Sequence, residues 1–225
     1  MTEVKICGLT RPEDVEEACA LGVSYVGFNF AAVSPRRVTL ETARRLAAAT
    51  APGVRRVGIF VDEGADFVEE AAEAGRLDLL QVHRTLREED LERLPRPIVA
   101  VARVVGSAAQ VPAPLLLARC RAFLFDTAVP GRPGGTAERF DWSLLEGKSW
   151  PVPLFLAGGL TPENVGEGIR RARPAAVDVA SGVESAPGVK DSEKMKRFLQ
   201  AVREADVQSR LAEPPRTSPF GRGPG

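Results

Sequence analysis

The sequence predicts a single (β/α)8 barrel, and three observations carry that expectation. Apolar, β-branched runs alternate with helix-patterned stretches along almost the whole chain. There are eight such units, and they fill roughly the 200–250 residues that a closed barrel needs. No GxGxxG follows the first strand, which disfavours the open doubly wound sheet, the rival fold that alternates in the same way.

The strands are expected at residues 4–9 (VKICGL), 25–30 (YVGFNF), 55–61 (RRVGIFV), 79–83 (LLQVH), 98–104 (IVAVARV), 122–127 (AFLFDT), 152–158 (VPLFLAG) and 175–181 (AAVDVAS). Between and after them lie helical patterns at 12–22, 40–50, 65–75, 86–94, 112–120, a short and poor one at 141–147, then 161–172 and 192–205. Each repeats apolar residues at three- and four-residue spacing, which puts them on one helix face. Thr10 before Arg11-Pro12, and Thr161 before Pro162, have the character of helix starts. The domain therefore spans 1–205. Residues 206–225, rich in Pro, Gly and Arg, are expected as a flexible tail with no part in the chemistry.

Composition excludes several function classes. Lys+Arg and Asp+Glu balance at 30 each, without the basic excess that marks a nucleic-acid or anionic-membrane binder. Apolar runs are short and broken by charge, so no membrane span is expected, and the chain reads as cytoplasmic. The three cysteines Cys7, Cys19 and Cys120 form no CxxC pair, and His83 is the one histidine. Neither a disulfide framework, a metal site nor a His-based triad fits that inventory. Cys19 and Cys120 fall in helical patterns and read as packing.

In such a barrel the chemistry sits at the C-terminal ends of the strands. Side chains alternate along a strand, so if Val4 and Ile6 face the helices, Lys5 and Cys7 face the barrel axis. The same parity turns Gln81 and His83, Leu124 and Asp126, and Asp178 inward. A thiol, an imidazole, an ammonium and two carboxylates thus converge near one mouth. Taken singly each has a bland reading: Cys7 as packing, Asp126 as a turn former, His83 as a satisfied core group, Asp178 as a partner for Lys5. Their convergence favours an acid and a base flanking a small substrate.

Two glycine-bearing loops add a phosphate. LAGGLTPENV sets Gly158 and Gly159 before a helix, and VDVASGVE sets Ser181 and Gly182 after the last strand. Glycines let the backbone approach an anion, and barrels commonly bind phosphate after strands seven and eight. Arg36, in VSPRRV after the second strand, is placed to hold a carboxylate by two parallel hydrogen bonds, unless it is a solvated surface arginine.

The motifs KICGLT, SPR, QVH, LFDT…GGT…FDW, LAGGLTPENV, and VDVASGVES…GVKD, in that order from Val4 to about Val202, resemble the phosphoribosylanthranilate isomerases of tryptophan biosynthesis. The resemblance implies a (β/α)8 enzyme without a cofactor, acting on a small phosphorylated substrate; no metal is expected, and the chain is expected as a monomer or a homodimer. It implies Cys7 as general base and Asp126 as general acid of an Amadori rearrangement, Arg36 at the anthranilate end, and Gly158, Gly159, Ser181 and Gly182 around the phosphate; His83 and Asp178, inward at the same mouth, are expected as further substrate contacts. The chain departs from the family pattern at Arg84, where glycine is usual, and at Ala137, in place of a third glycine. Two other readings are a metal-dependent pentose-phosphate epimerase, opposed by the single histidine, and a non-catalytic sugar-phosphate sensor, opposed by the joint presence of Cys7 and Asp126.

Overall fold

The computed structural model describes residues 1–83, 92–105, 108–110, 119–127 and 141–212. Most of the helical patterns at 86–94 and 112–120 and the loop carrying Ala137 lie outside the described residues, as do Arg84 and residues 213–225.

Eight parallel strands close on themselves as expected. They are β1 (Glu3–Cys7), β2 (Tyr25–Asn29), β3 (Arg55–Phe60), β4 (Leu79–Val82), β5 (Ile98–Val105), β7 (Cys120–Thr127), β8 (Leu154–Leu156) and β9 (Ala176–Val179), each paired with the next. The β1–β9 pairing completes the ring. Three strands were not foreseen, and the first of them, β6 (Ala108–Gln110), folds back antiparallel on β5. The sixth barrel strand is therefore β7. A two-stranded hairpin, β10 (Glu184–Ala186) with β11 (Val189–Lys190), follows the last barrel strand.

The inside–outside parity is as the alternation requires. Val4, Ile6, Val26, Phe28, Phe123, Phe125, Leu156, Val177 and Val179 pack outward under the helices. Tyr25, Val57, Leu79, Val99, Ala122, Leu124, Phe155 and Ala176 fill the barrel interior, where the Tyr25 and Phe155 rings meet edge to face at 5.2 Å. Strand β1 adds no apolar residue to that inner plug; its inward contribution is Lys5, which is fully buried. Burying these apolar groups stabilises the barrel by about 25 cal/mol per Å² removed from water.

Five helices are described: α1 (Pro12–Leu21), α2 (Leu40–Ala49), α3 (Ala65–Ala74), α4 (Val165–Ala172) and α5 (Ser192–Ala212). Several local expectations need correction. Thr10 does not cap α1: its hydroxyl donates to the Gly188 carbonyl at 2.6 Å, and Arg11 is the capping residue. Helix α4 begins at Val165 rather than 161, because the Asn164 amide turns back, accepting from Thr161 N at 2.8 Å and donating to Gly159 O at 2.8 Å. The poor pattern at 141–147 is a 3-10 turn over Trp142–Leu145, started by the Asp141 side chain accepting from Ser143 N. Cys120 opens strand β7 rather than ending a helix; it is buried, its thiol directed to the Ala122 carbonyl at 3.1 Å.

The boundary at 205 also falls inside a helix. Buried Met195, Phe198, Leu199, Val202 and Ala205 form the apolar stripe of α5, and the stripe stops there, with Val207 and Leu211 exposed. The helix nonetheless runs on to Ala212. Asp206 accepts from the Thr2 backbone N–H and hydroxyl, each at 2.7 Å, tying the chain's start to its last helix. Removing that tie by Asp206→Ala is expected to lower stability by about 1–3 kcal/mol in urea unfolding; an unchanged midpoint would mean that the tie contributes nothing to folding.

Candidate active site

The C-terminal ends of the strands surround one cavity. Cys7, Arg36, His83, Asp126, Gly158, Gly159, Asp178 and Ser181 all contribute to its wall, joined by Asn29, Ile59, Gln81 and Leu160. Of the residues singled out in the sequence, fully buried Lys5 does not line the cavity, and the other exception is Gly182. It stands behind the wall, where a Cβ would come within 1.9 Å of the Leu160 carbonyl. Its glycine lets the loops after β8 and β9 lie back to back. Gly158 and Gly159 have φ of +84° and +66°, a left-handed path that other residues adopt only under strain.

At the cavity floor Lys5 Nζ donates to Asp178 Oδ2 and to Gln81 Oε1, each at 2.9 Å. Burial, the largest single influence, disfavours the Lys5 ammonium, but Asp178 and Cys7 together outweigh it and raise the pKa. The other carboxylate oxygen, Asp178 Oδ1, is buried and has no hydrogen-bond partner among the described residues. Such an atom is costly unless something accepts the role of donor, and a bound hydroxyl would fill it. Beyond Gln81 the chain of contacts continues to His83, Gln81 Nε2 lying 2.9 Å from His83 Nε2.

Cys7 ends β1 beside this ion pair. Gly27 on β2 is its register partner, and a Cβ there would press on Cys7 Sγ at 3.1 Å; only glycine leaves the thiol its place. Burial pushes the thiol's pKa up, Lys5 and Lys190 pull it down, and Asp178 adds to the rise; the balance is upward. The fold's own charges and burial thus favour the neutral thiol.

The glutamate of SGVE, Glu184, and the lysine of GVKD, Lys190, had no assigned purpose, and they supply a second charged cluster. Arg36 Nε and Nη2 donate to the two oxygens of Glu184 at 2.8 and 2.7 Å. The fork that was expected to clamp a carboxylate of the substrate is therefore held by Glu184. Arg36 lies across Gly8, where a Cβ would meet Arg36 Cδ at 2.4 Å, which accounts for the glycine of KICG. Glu184 also accepts from Lys190 Nζ at 2.8 Å. The same ammonium donates to the carbonyls of Cys7 at 2.6 Å and Ala180 at 3.2 Å, so its three N–H groups are all used. Lys190 thereby joins the end of β1, the loop after β9 and the Arg36 clasp. Glu184 and Lys190 are the residues that sequence reasoning missed; the recurrence of SGVE and GVKD within the resemblance was the available signal.

Burial raises the Glu184 carboxyl, but the Arg36 hydrogen bond and the Lys190 charge overcome it and hold its pKa below the usual range. Among the described residues no group of three or more His, Cys, Asp or Glu side chains could hold a metal ion. No helix among them is long and apolar enough to cross a membrane.

The chain is similar to a group of known proteins. The family model for N-(5'-phosphoribosyl)anthranilate isomerase matches residues 4–201. The isomerase of Thiobacillus denitrificans is 43% identical over 200 residues, covering 89% of this chain and 97% of that protein. One from Pseudomonas fluorescens is 46% identical over 205 residues, covering 88% and 97%. Among solved structures, phosphoribosyl anthranilate isomerase from Thermotoga maritima superposes with a TM-score of 0.79 at 34% identity, covering 91% of this chain and all of that one. Another, in complex with reduced 1-(o-carboxyphenylamino)-1-deoxyribulose 5-phosphate, has a TM-score of 0.74 at 33% identity, covering 91% and 100%.

The Glu184 clasp leads to a stability prediction with a defined pH dependence. Glu184→Gln leaves Arg36 and Lys190 without their buried counter-charge and is expected to cost about 3 kcal/mol at neutral pH. Because the folded pKa is depressed, this stabilisation is complete above the unfolded value and is lost as pH falls through the folded one. Urea unfolding of both proteins across that acid range should show the difference shrinking as pH falls; a difference independent of pH would contradict the clasp.

Proposed function

The chain belongs to the phosphoribosylanthranilate isomerase family, and from that premise we propose that its cavity carries out the Amadori rearrangement of N-(5'-phosphoribosyl)anthranilate in tryptophan biosynthesis with Cys7 as base and Asp126 as acid. The observation that carries the assignment is the single cavity wall bearing a thiol and a carboxylate from β1 and β7, with the glycine loops of a phosphate site beside them.

Asp126 protonates the furanose ring oxygen, the C1'–O bond breaks, and the nitrogen lone pair forms the C=N of a Schiff base. Cys7, as thiolate, removes the C2' proton. The C2'–H electrons become the C1'=C2' bond and the C=N electrons return to nitrogen. The resulting enolamine tautomerises to 1-(o-carboxyphenylamino)-1-deoxyribulose 5-phosphate, so no redox partner or cofactor enters the balance. Deprotonation is easiest after ring opening, because the cationic imine acidifies C2' at that moment. Gly158, Gly159 and Ser181 receive the phosphate through backbone N–H groups, with Gly182 allowing the two loops to meet. Asp178 Oδ1 accepts from a sugar hydroxyl and His83 contacts the sugar. Arg36, held by Glu184, faces the anthranilate carboxylate with Nη1, the nitrogen left over from its paired fork.

The same reading places the protein in the cytoplasm, without a metal or nucleic-acid partner, as a monomer or a homodimer. One solved relative is described as a monomeric form of a dimeric isomerase.

The test is a fluorescence time course with phosphoribosylanthranilate generated in situ, following loss of its anthranilate-like emission. Wild type should convert it rapidly, while Cys7→Ala and Asp126→Asn each lose about 10²–10⁴-fold in kcat with the fold intact. In the wild type kcat/KM should rise with pH, since the base works ionised, on a limb alkaline of an ordinary thiol. A folded wild type without activity would sink the isomerase reading, and a variant at full rate would remove that residue's role.

A further inference from the structure

The chain Asp178–Lys5–Gln81–His83 crosses the cavity floor, and the mechanism above uses its two ends but not its middle. Lys5 Nζ is an ammonium with N–H groups and no lone pair. The side-chain atom of Gln81 that faces it at 2.9 Å must therefore be the carbonyl oxygen. This fixes an assignment that geometry alone leaves open for an amide. The Gln81 NH2 then points at His83 Nε2, 2.9 Å away, and a nitrogen that receives an N–H must offer its lone pair.

We propose that Lys5 and Gln81 are positioning residues that hold His83 in its Nδ1–H tautomer, with Nε2 occupied as an acceptor. The opposite arrangement fails at both ends. With a proton on Nε2 the Gln81 amide would have to turn over, setting its NH2 against the Lys5 ammonium, donor against donor inside the barrel. Asp178 closes the other end of the chain at 2.9 Å and keeps Lys5 charged, so the direction of every hydrogen bond follows from one ammonium. Free imidazole prefers Nε2–H, so the barrel selects the minor form.

The consequence is functional. With Nε2 committed, His83 has no basic nitrogen left for the cavity and cannot compete with Cys7 for a substrate proton. That last step rests on the isomerase reading; the tautomer does not.

Because the chain has a single histidine, protein labelled with 15N-histidine gives one imidazole in a long-range 1H–15N correlation spectrum. Recorded without ligand, above the ordinary histidine pKa of about 6.5, the wild type should carry its proton on Nδ1. A proton on Nε2 overturns the proposal, with no variant needed. Gln81→Glu supplies an acceptor to both neighbours and should move the proton to Nε2 or protonate both nitrogens. It should also lower kcat/KM about tenfold or more, the worth of one hydrogen bond. An unchanged tautomer in folded Gln81→Glu overturns the relay, and a switched tautomer with unchanged kcat/KM overturns the positioning role. If wild type carries Nδ1–H yet does not turn over phosphoribosylanthranilate, it is the isomerase reading that has failed.

Discussion

An ammonium buried in the middle of a barrel is the constraint around which this structure is arranged. Lys5 is wholly excluded from solvent, and an unpaired charge in that position would cost several kcal/mol. Asp178 can neutralise it only because β1 and β9 are in a register that makes Lys5 and Asp178 cross-strand partners. Gln81 can complete its shell only because β4 is on the other side of the ring. The pair therefore favours one closed arrangement of strands over its slipped alternatives, where Lys5 would face the helices or meet no acid. It also divides the interior into an apolar plug below and a polar mouth above.

The mouth is held by a second charged group of different character. Lys190 binds two carbonyls at the ends of β1 and β9, and Glu184 joins it to Arg36. Where the Lys5 pair sets the barrel's register, this cluster sets loop positions: the thiol strand, the loop bearing Ser181 and the arginine loop share one ammonium–carboxylate–guanidinium contact. Burial and the two cations act oppositely on Glu184, and the cations win. Cys7 lies between the two groups and feels both. Its ionisation therefore depends on the fold's own charges as well as on substrate.

How much of this could be read beforehand follows from the range of each interaction. Which residues of β1, β7 and β9 point inward needs only the two-residue period, so Lys5, Cys7, Asp126 and Asp178 were placed from sequence, and the Lys5–Asp178 pair was already an open reading. The glycine loops were visible because a left-handed φ leaves a mark in composition. The Arg36–Glu184 clasp was not, since those residues are 148 apart and nothing local to either names the other. The start of α4 was displaced because the Asn164 side chain satisfies backbone groups in its own turn, a choice that Thr161-Pro162 does not reveal. Cys120 followed an apolar run whose length suits helix or strand alike. The end of α5 was misjudged because its apolar stripe stops before its hydrogen bonds do.

Burial is the largest influence on the Cys7 thiol, and the Lys5 charge is the strongest influence set against it. That central claim is tested most directly by measuring the pH dependence of Cys7 alkylation in protein whose Cys19 and Cys120 are replaced by alanine, with and without Lys5→Met, circular dichroism confirming the fold. Lys5 is the strongest influence drawing the Cys7 proton off, so its removal should move the alkylation profile to higher pH. A profile that stays in place, or moves to lower pH, would contradict the account.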